Sequence, residues 1–207
     1  MDSNFLIIYG TRPEKIKLDP LMKQMEAEGL IYETCFTGQQ IDLVLKTDVD
    51  YDFSNNLHVK YSNQQGDRLN SFLEHTLQDL RVLIFDKMKF THVIVQGDTA
   101  SAYSGALAAF HRQIPVIHIE AGLRTYEKDP YPEEFYRRSI SLMADYHFCP
   151  TPSNAEALVN ERILGERYAM VVGNTGLDNL NRDGVTVGKE ILVTFHRREN
   201  LNRAREF

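Results

Sequence analysis

The 207-residue sequence contains no tryptophan, only two cysteines and no hydrophobic run of membrane-spanning length. Cys35 and Cys149 lie in apolar contexts and form no CxxC pair, which excludes a disulfide framework and favours a reducing compartment. The first apolar run, FLIIY, stops at Gly10 and is too short for a signal peptide. No window approaches the length that a transmembrane helix requires. We therefore expect a cytoplasmic protein that does not bind membranes.

Excess positive charge is absent as well. The chain has 23 Lys and Arg against 29 Asp and Glu, a formal net charge of -6. The basic pairs at 137–138 and 197–198 are too short to hold a polyanion, so nucleic-acid binding is not expected. No set of His, Cys, Asp and Glu has metal-ligand spacing, and neither a P-loop nor GxGxxG is present. We expect neither a metal nor a cofactor.

Apolar segments of strand length alternate with segments of helical periodicity. The apolar segments span 5–10, 32–37, 92–97, 115–120, 146–150, 168–173 and 190–195. They are largely continuous rather than alternating, which suits strands buried on both faces. Apolar or small residues at three- and four-residue spacing predict helices over 67–88 and 99–112. Pro13 at its start and Gly29 just past its end predict a further helix over 13–28. The alternation predicts an α/β fold with a doubly wound parallel sheet.

The composition changes towards the end of the sequence. Residues 181–189, NRDGVTVGK, are polar and contain glycine, and a further apolar segment begins at 190. One strand cannot bury itself without a partner. We therefore expect 1–180 to form one domain, 181–189 a linker and 190–207 the first strand of a truncated second domain.

Polar and glycine-containing motifs follow most of the predicted strands. They are GTRPEKIK (10–17), TGQQ (37–40), GDTAS (97–101), EAGLRT (120–125), GNTGLDNL (173–180) and HRREN (196–200). In open α/β sheets ligands bind at the carboxyl ends of the strands, which all lie at one rim of the sheet. The recurrence of these motifs predicts a ligand-binding site at that rim.

Two acidic residues of the rim are candidates for chemistry. Glu120 ends an apolar strand and has no helix to cap, and a buried carboxylate must be paired or have a raised pKa. Perturbed acids concentrate at active sites, which makes Glu120 a candidate. Asp98 precedes a helix and is either an N-cap or a second carboxylate of the site. His118, inside the same apolar strand as Glu120, is expected to be a hydrogen-bonded structural histidine.

The basic residues of the rim suit a phosphate group. Arg12 stands at the entrance of the first predicted helix and Lys17 about one turn further, where a helix N-terminus favours anions; the alternative is that both are solvated. In PYPEEFYRR, Glu133 and Arg137 are four residues apart, so they share a helix face and are able to pair. Glu134 points away from that face and is not expected to be catalytic.

A series of motifs resembles, in order along the chain, those of the non-hydrolysing UDP-N-acetylglucosamine 2-epimerases. They are GTRPEKIKLDPL, TGQQ, VIVQGDTASAYSGALAAFHRQIPVIHIEAGLRT, PYPEEFYRR, YHFCPTPSNAEAL, VVGNTGLDNL and ILVTFHRREN, and they extend over nearly the whole chain. The resemblance implies two Rossmann-like domains in the glycosyltransferase-B arrangement, of which this chain is the N-terminal half. It also implies an isomerase that interconverts UDP-GlcNAc and UDP-ManNAc by elimination and re-addition of UDP, without a nicotinamide cofactor. Family members are typically dimers through the first domain, so a homodimer is expected.

The same resemblance implies roles for individual residues by their motif positions. The implied catalytic acids and bases are Asp98, Glu120 and Glu133. The implied substrate-binding residues are Arg12, Lys17, Arg137 and His196, the last as a contact to the nucleotide or diphosphate. Removing an unactivated C2 proton needs a positioned base, and returning it to the other face needs an acid. Which carboxylate takes which role is left open.

Other functions are compatible with parts of this pattern. A hydrolysing relative would release ManNAc and UDP, and a non-catalytic remnant would bind the sugar nucleotide without turnover. A glycosyltransferase on the same fold is disfavoured, because the carboxylate pattern matches the epimerases and fold alone does not decide function.

The chain also departs from the family pattern. Phe195 and Tyr136 stand where family members commonly have Gly and Asn, and the residues after TGQQ differ from those of allosteric enzymes, so allosteric activation is not expected. The family's second domain supplies much of the uridine and diphosphate binding. We therefore expect the 207-residue chain to have low activity alone.

Overall fold

Seven parallel strands form one sheet in the computed structural model of the chain, which describes residues 4–39, 55–56, 67–165 and 168–180. The strands are β1 (Asn4–Tyr9), β2 (Ile31–Phe36), β3 (Asn55–Asn56), β4 (His92–Gln96), β5 (Val116–Ile119), β6 (Tyr146–Cys149) and β7 (Tyr168–Val171). Their spatial order is β3-β2-β1-β4-β5-β6-β7. The order reverses between β1 and β4, as in Rossmann-like sheets, and the predicted doubly wound parallel sheet is confirmed. The predicted linker 181–189, the predicted strand 190–195 and His196 lie outside the described residues.

Helices connect the strands and cover both faces of the sheet. They are α1 (Arg12–Ala27), α2 (Arg68–Asp79), α3 (Ala100–His111), α4 (Glu133–Met143) and α5 (Pro152–Asn160), with a 3₁₀ helix at Thr175–Asn179. The helices predicted at 13–28 and 99–112 are confirmed within one residue at each end. The one predicted at 67–88 is α-helical only to Asp79 and continues as a π-helix over Leu80–Phe85.

The core lies on the two faces of the sheet because successive strand residues point in opposite directions. On one face Leu6 and Ile8 of β1 pack with three alanines of α3, and all five residues are fully buried; the alanines are Ala102, Ala106 and Ala109. On the other face Ile7 and Tyr9 pack with Leu18 of α1. Helices α1 and α3 therefore cover opposite faces of the sheet, and their N-terminal ends meet only at the rim.

Cys35 and Cys149 are both buried and free. Burial raises the pKa of the Cys35 thiol to about 12 and that of the Cys149 thiol to about 11. At neutral pH both remain thiols, which are poor nucleophiles, and they act as packing residues as the sequence predicted. Across the described part of the chain, every helix is too short or too polar to span a lipid bilayer.

The loop after β5 approaches α5 so closely that one position accepts only glycine. Gly122 has a φ of 84°, and a Cβ atom there would lie 2.2 Å from the carbonyl oxygen of Asn154. Gly29, which follows α1, has a similar φ of 69° but nothing within 4 Å of the corresponding position. The two glycines therefore share a backbone requirement and differ in a steric one.

We predict that Gly122→Ala lowers the free energy of unfolding by about 3 kcal/mol, because left-handed strain and a backbone clash add. Gly29→Ala, the matched control, is expected to lose about 1 kcal/mol from left-handed strain alone. Urea unfolding of the two variants measures the difference. Equal losses would contradict the close approach of the loop to Asn154.

Candidate active site

The chain turns into the left-handed region where β4 and β5 end. Gly97 has a φ of 69° and Glu120 a φ of 65°. Glycine adopts this conformation easily, but a glutamate there is uncommon. Such residues persist where the surrounding structure holds them, and they cluster at functional sites. The backbone conformation of Glu120 therefore indicates a functional site at this rim, and this indication does not depend on the charge of its side chain.

A cleft of about 350 Å³ opens at the carboxyl ends of β1, β4 and β5. Its lining includes Glu14, Lys17, Asp98, Glu120, Glu133 and Tyr136. The three carboxylates predicted to be catalytic are therefore brought together, with Lys17 beside them. These residues come from three different connections of the sheet, so their proximity results from the parallel topology.

Glu120 is held by two donors from neighbouring elements. Lys17 Nζ lies 2.5 Å from Glu120 Oε2, which links α1 to the end of β5. The side-chain amide of Gln96, the last residue of β4, donates to the same oxygen. Both partners are needed because the Glu120 side chain is largely buried, and a buried carboxylate without donors would be costly.

Arg137 is the second cation of the site, and its partners differ from the predicted one. The predicted pair was Glu133–Arg137, but Arg137 Nη2 lies 2.7 Å from Asp98 Oδ2, and Arg137 Nε lies 3.7 Å from Glu134 Oε2. Burial explains why Arg137 does not pair with Glu133. Arg137 and Glu134 are both buried on the inner side of α4, whereas Glu133 is partly exposed and faces the cleft. Residues three apart on a helix are neighbours as much as residues four apart.

Asp98 does not cap the helix that follows it. The N-cap of α3 is Thr99, whose hydroxyl accepts a hydrogen bond from the Ala102 amide at 3.0 Å. Asp98 is thereby left to pair with Arg137. Burial raises the pKa of Asp98, Arg137 opposes the rise, and the nearby carboxylates of Glu133 and Glu120 add to it. The alternative of a simple N-cap is therefore wrong.

Two hydrogen bonds to a buried carboxylate and one ion pair anchor the loop that follows Glu120. Glu134 accepts hydrogen bonds from the backbone amides of Thr125 and Tyr126, each at 3.1 Å. Arg124 binds Glu161 of the segment after α5 through two hydrogen bonds, at 2.9 and 3.0 Å. These contacts hold residues 121–126 between α4 and α5. Sequence reasoning missed both roles, because neither pairing has a local spacing that predicts it.

His118 acts as the sequence predicted. Its Nε2 donates to the carbonyl oxygen of Gly97 at 2.8 Å. Burial lowers the pKa of His118 to about 3, so the ring is neutral over the whole working range of pH. The bond fixes the turn after β4 against β5, which carries Glu120.

Glu14 is a site residue that the sequence analysis did not select. It is buried, and its Oε2 accepts from the Gly10 amide at 3.0 Å and the Thr11 amide at 2.8 Å. Its Oε1 accepts from the Thr99 hydroxyl at 2.6 Å. The bond to the Thr11 amide could have been predicted from the sequence, because Thr11 and Glu14 form the T-x-x-E capping box of a helix start. The bond to Thr99 joins distant parts of the chain and has no such signal.

Three predicted residues are not among the lining residues of the cleft. Arg137 is one of them: it is buried and contacts Asp98, which does line the cleft. Arg12 is the first residue of α1, and its side chain is exposed outside the cleft lining. Its role in substrate binding stays a prediction. His196 lies outside the described residues, so its role stays a prediction too. Across the described ranges, no group of three His, Cys, Asp or Glu residues is arranged to hold a metal ion.

Comparison with known proteins gives a consistent result. Residues 23–207 match the family model described as UDP-N-acetylglucosamine 2-epimerase. A protein of Thermotoga maritima is 39% identical over 223 aligned residues, which cover 97% of this chain and 57% of that protein. UDP-N-acetylglucosamine 2-epimerase of Bacillus subtilis is 37% identical over 218 residues, covering 97% of this chain and 56% of the enzyme.

A solved structure shares the fold. The Neisseria meningitidis UDP-GlcNAc 2-epimerase bound to UDP-GlcNAc superimposes with a TM-score of 0.73 at 34% identity, covering 84% of this chain and 47% of that one. The chain thus spans about half the length of the relatives that it matches.

The buried carboxyl of Glu14 predicts a pH-dependent contribution to stability. Burial raises its pKa from 4.5 to about 6, so the folded protein binds this proton more readily than the unfolded chain. The proton stabilises the fold fully below pH 4.5, and the stabilisation is lost as the pH rises through about 6.

We predict that wild type loses about 2 kcal/mol relative to Glu14→Gln between pH 4.5 and neutral pH, since Gln does not titrate. Urea unfolding across this range measures it. Glu28→Gln, at the exposed end of the same helix, keeps Glu14 and should follow the pH dependence of wild type. Parallel stability curves for wild type and Glu14→Gln would contradict the raised pKa.

Proposed function

The chain belongs to the UDP-N-acetylglucosamine 2-epimerase family, and we propose that it carries the acid–base half of an isomerase that interconverts UDP-GlcNAc and UDP-ManNAc. The observation that carries this proposal is the convergence of Asp98, Glu120 and Glu133 on one cleft. Cations lie against two of them, since Lys17 contacts Glu120 and Arg137 contacts Asp98. This arrangement suits proton transfer beside an anionic leaving group.

The proposed reaction has two balanced steps. A carboxylate removes the proton at C2 of the sugar while the bond from C1 to the diphosphate oxygen breaks, which yields 2-acetamidoglucal and UDP. A carboxyl then returns a proton to the opposite face of C2, and the diphosphate oxygen re-forms its bond to C1. The electron pairs stay within the substrate and its leaving group, so neither step needs an oxidant or a reductant.

The three carboxylates are proposed to divide the proton transfers. Asp98 has a raised pKa, which brings its carboxyl closer to the range where an acid–base group both gives and takes a proton. Glu120 and Glu133 line the same cleft from other directions. A ring held among them has carboxyl groups on more than one side, as inversion at C2 requires.

The diphosphate is proposed to bind at the positive side of the cleft. Lys17 of α1 lines the cleft, Arg137 of α4 contacts the lining residue Asp98, and α1 and α3 both begin at the same rim, which supports this proposal. Helix N-termini and cations stabilise the negative charge that develops as UDP departs. Arg12 at the start of α1 and His196 are proposed as further contacts, to the diphosphate and the nucleotide.

We predict that the chain incubated with UDP-GlcNAc forms UDP-ManNAc, slowly, with the products followed by NMR. Asp98→Asn, Glu120→Gln and Glu133→Gln should each lower the rate by about 100-fold or more. Asp129→Asn, in the exposed loop before α4, is the matched control and should react as wild type does.

If the chain forms other products, or forms none, a different function is favoured. Free ManNAc with UDP would overturn the proposal in favour of a hydrolysing enzyme. Binding of UDP-GlcNAc in calorimetry without any product would overturn it in favour of a non-catalytic sugar-nucleotide-binding protein. Absence of both binding and turnover would overturn both proposals.

We propose in addition that the protein is cytoplasmic, since the buried free thiols of Cys35 and Cys149 suit a reducing compartment.

We also propose that the protein forms a homodimer through this domain. Exposed apolar side chains of the domain, such as Val82, Leu83 and Phe110, are compatible with a contact between copies. Light scattering after size-exclusion chromatography should give twice the mass of one chain; a monomer at all concentrations would contradict the dimer.

A further inference from the structure

Glu14 joins two helices that cover opposite faces of the sheet. Its Oε2 accepts from the amides of Gly10 and Thr11, in the turn between β1 and α1. Its Oε1 accepts from the hydroxyl of Thr99, the N-cap of α3. Glu14 thus bonds to the N-terminal ends of two helices that lie on opposite faces of the sheet. The carboxylate spans the point where the strand order of the sheet reverses.

The packing around this carboxylate is close. A Cβ atom on Gly10 would lie 2.0 Å from Ser101 Oγ and 2.2 Å from Thr37 Oγ1. The turn after β1 therefore lies directly against the first residues of α3. Thr37 and Ser101 share a hydrogen bond of 2.7 Å, and Ser101 also donates to the side chain of Gln39. Glu14 is the charged group at this closely packed turn, where it accepts from the Gly10 amide.

Glu14 lines the cleft but is not arranged to react. Its side chain is 1% exposed, and both of its oxygens already accept hydrogen bonds from the protein. A proton-transfer group must be accessible to the substrate, and Glu120 and Glu133, unlike Glu14, are partly exposed. The hydrogen bonds of Glu14 all go to the turn after β1 and to the N-cap of α3. A role in geometry fits this arrangement, and a role in chemistry does not.

The residues next to these bonds are the proposed catalytic ones. Lys17 follows Glu14 by about one turn of α1 and contacts Glu120. Asp98 directly precedes Thr99 and contacts Arg137. We propose that Glu14 is a positioning residue: its carboxylate ties the N-terminal ends of α1 and α3 together and so holds Lys17 and Asp98 at a fixed separation across the cleft. This inference rests on the proposed function for its catalytic consequence.

Two substitutions separate positioning from chemistry. Glu14→Gln keeps the tether, since its carbonyl oxygen can accept from Gly10 and Thr11 while its amide donates to the Thr99 oxygen, which has a free lone pair. Glu14→Ala removes every bond. The control is Glu28→Gln, the same chemical change at the exposed end of α1.

Amide hydrogen exchange tests the tether without any need for turnover. In Glu14→Ala the amides of Thr11 and Ala102 should exchange about 100-fold faster, because the turn and the cap of α3 lose their common partner. In Glu14→Gln and Glu28→Gln they should remain within about 5-fold of wild type. Exchange at Ala102 that is unchanged in Glu14→Ala would overturn the tether. Amides of β6, distant from the site, report whether each variant is folded.

Epimerisation tests the consequence for the reaction. Positioning predicts that kcat of Glu14→Ala falls about 100-fold while Glu14→Gln retains activity within about 5-fold. A group that moves a proton would lose activity equally in both variants, and that result would overturn the proposal. Full activity of Glu14→Ala would overturn it as well. A wild-type chain without turnover would instead defeat the proposed function, and the exchange data would still decide the tether.

Discussion

The guanidinium of Arg137 is the charge around which the cleft is organised. A cation that is almost fully buried must be paired, because removing one partner leaves an uncompensated charge in a medium of low dielectric constant. Its partners are Asp98 after β4 and Glu134 on its own helix. Glu134 in turn holds the backbone of the loop that begins at Glu120. One buried charge thereby links α4 and the connections after β4 and β5.

Charged side chains on the other side of the cleft are likewise held by hydrogen bonds and an ion pair. Lys17 and Gln96 hold Glu120, and Glu14 holds the start of α1 against the cap of α3. The charged groups of the lining other than Glu133 are thus oriented by neighbouring side chains. Such preorganisation is the main way in which enzymes stabilise developing charge, because the groups need not reorient during the reaction. The left-handed backbone of Glu120 belongs to this arrangement, since its side chain meets both donors from that conformation.

The sequence alone predicted the sheet and much of the rim, for physical reasons that are local. Runs of apolar residues mark buried parallel strands, and an acid such as Glu120 at the end of one stands out because it has no helix to cap. Partners across the fold could not be predicted in this way. The i,i+4 rule suggested Glu133 for Arg137, but burial of Glu134 and the approach of Asp98 from β4 decided the pairing. The change to a π-helix at Leu80–Phe85 also lacks a signal, since the apolar periodicity continues through it.

We propose that carboxylates of this cleft remove and return the C2 proton of a UDP-linked sugar. The most direct measurement incubates the chain with UDP-GlcNAc in D₂O and determines by mass spectrometry and NMR whether deuterium enters at C2. We predict deuterium at C2 of UDP-ManNAc with wild type, and its loss in Glu120→Gln. UDP-ManNAc that retains its original hydrogen at C2, or no deuterium uptake at all with wild type, would contradict the account.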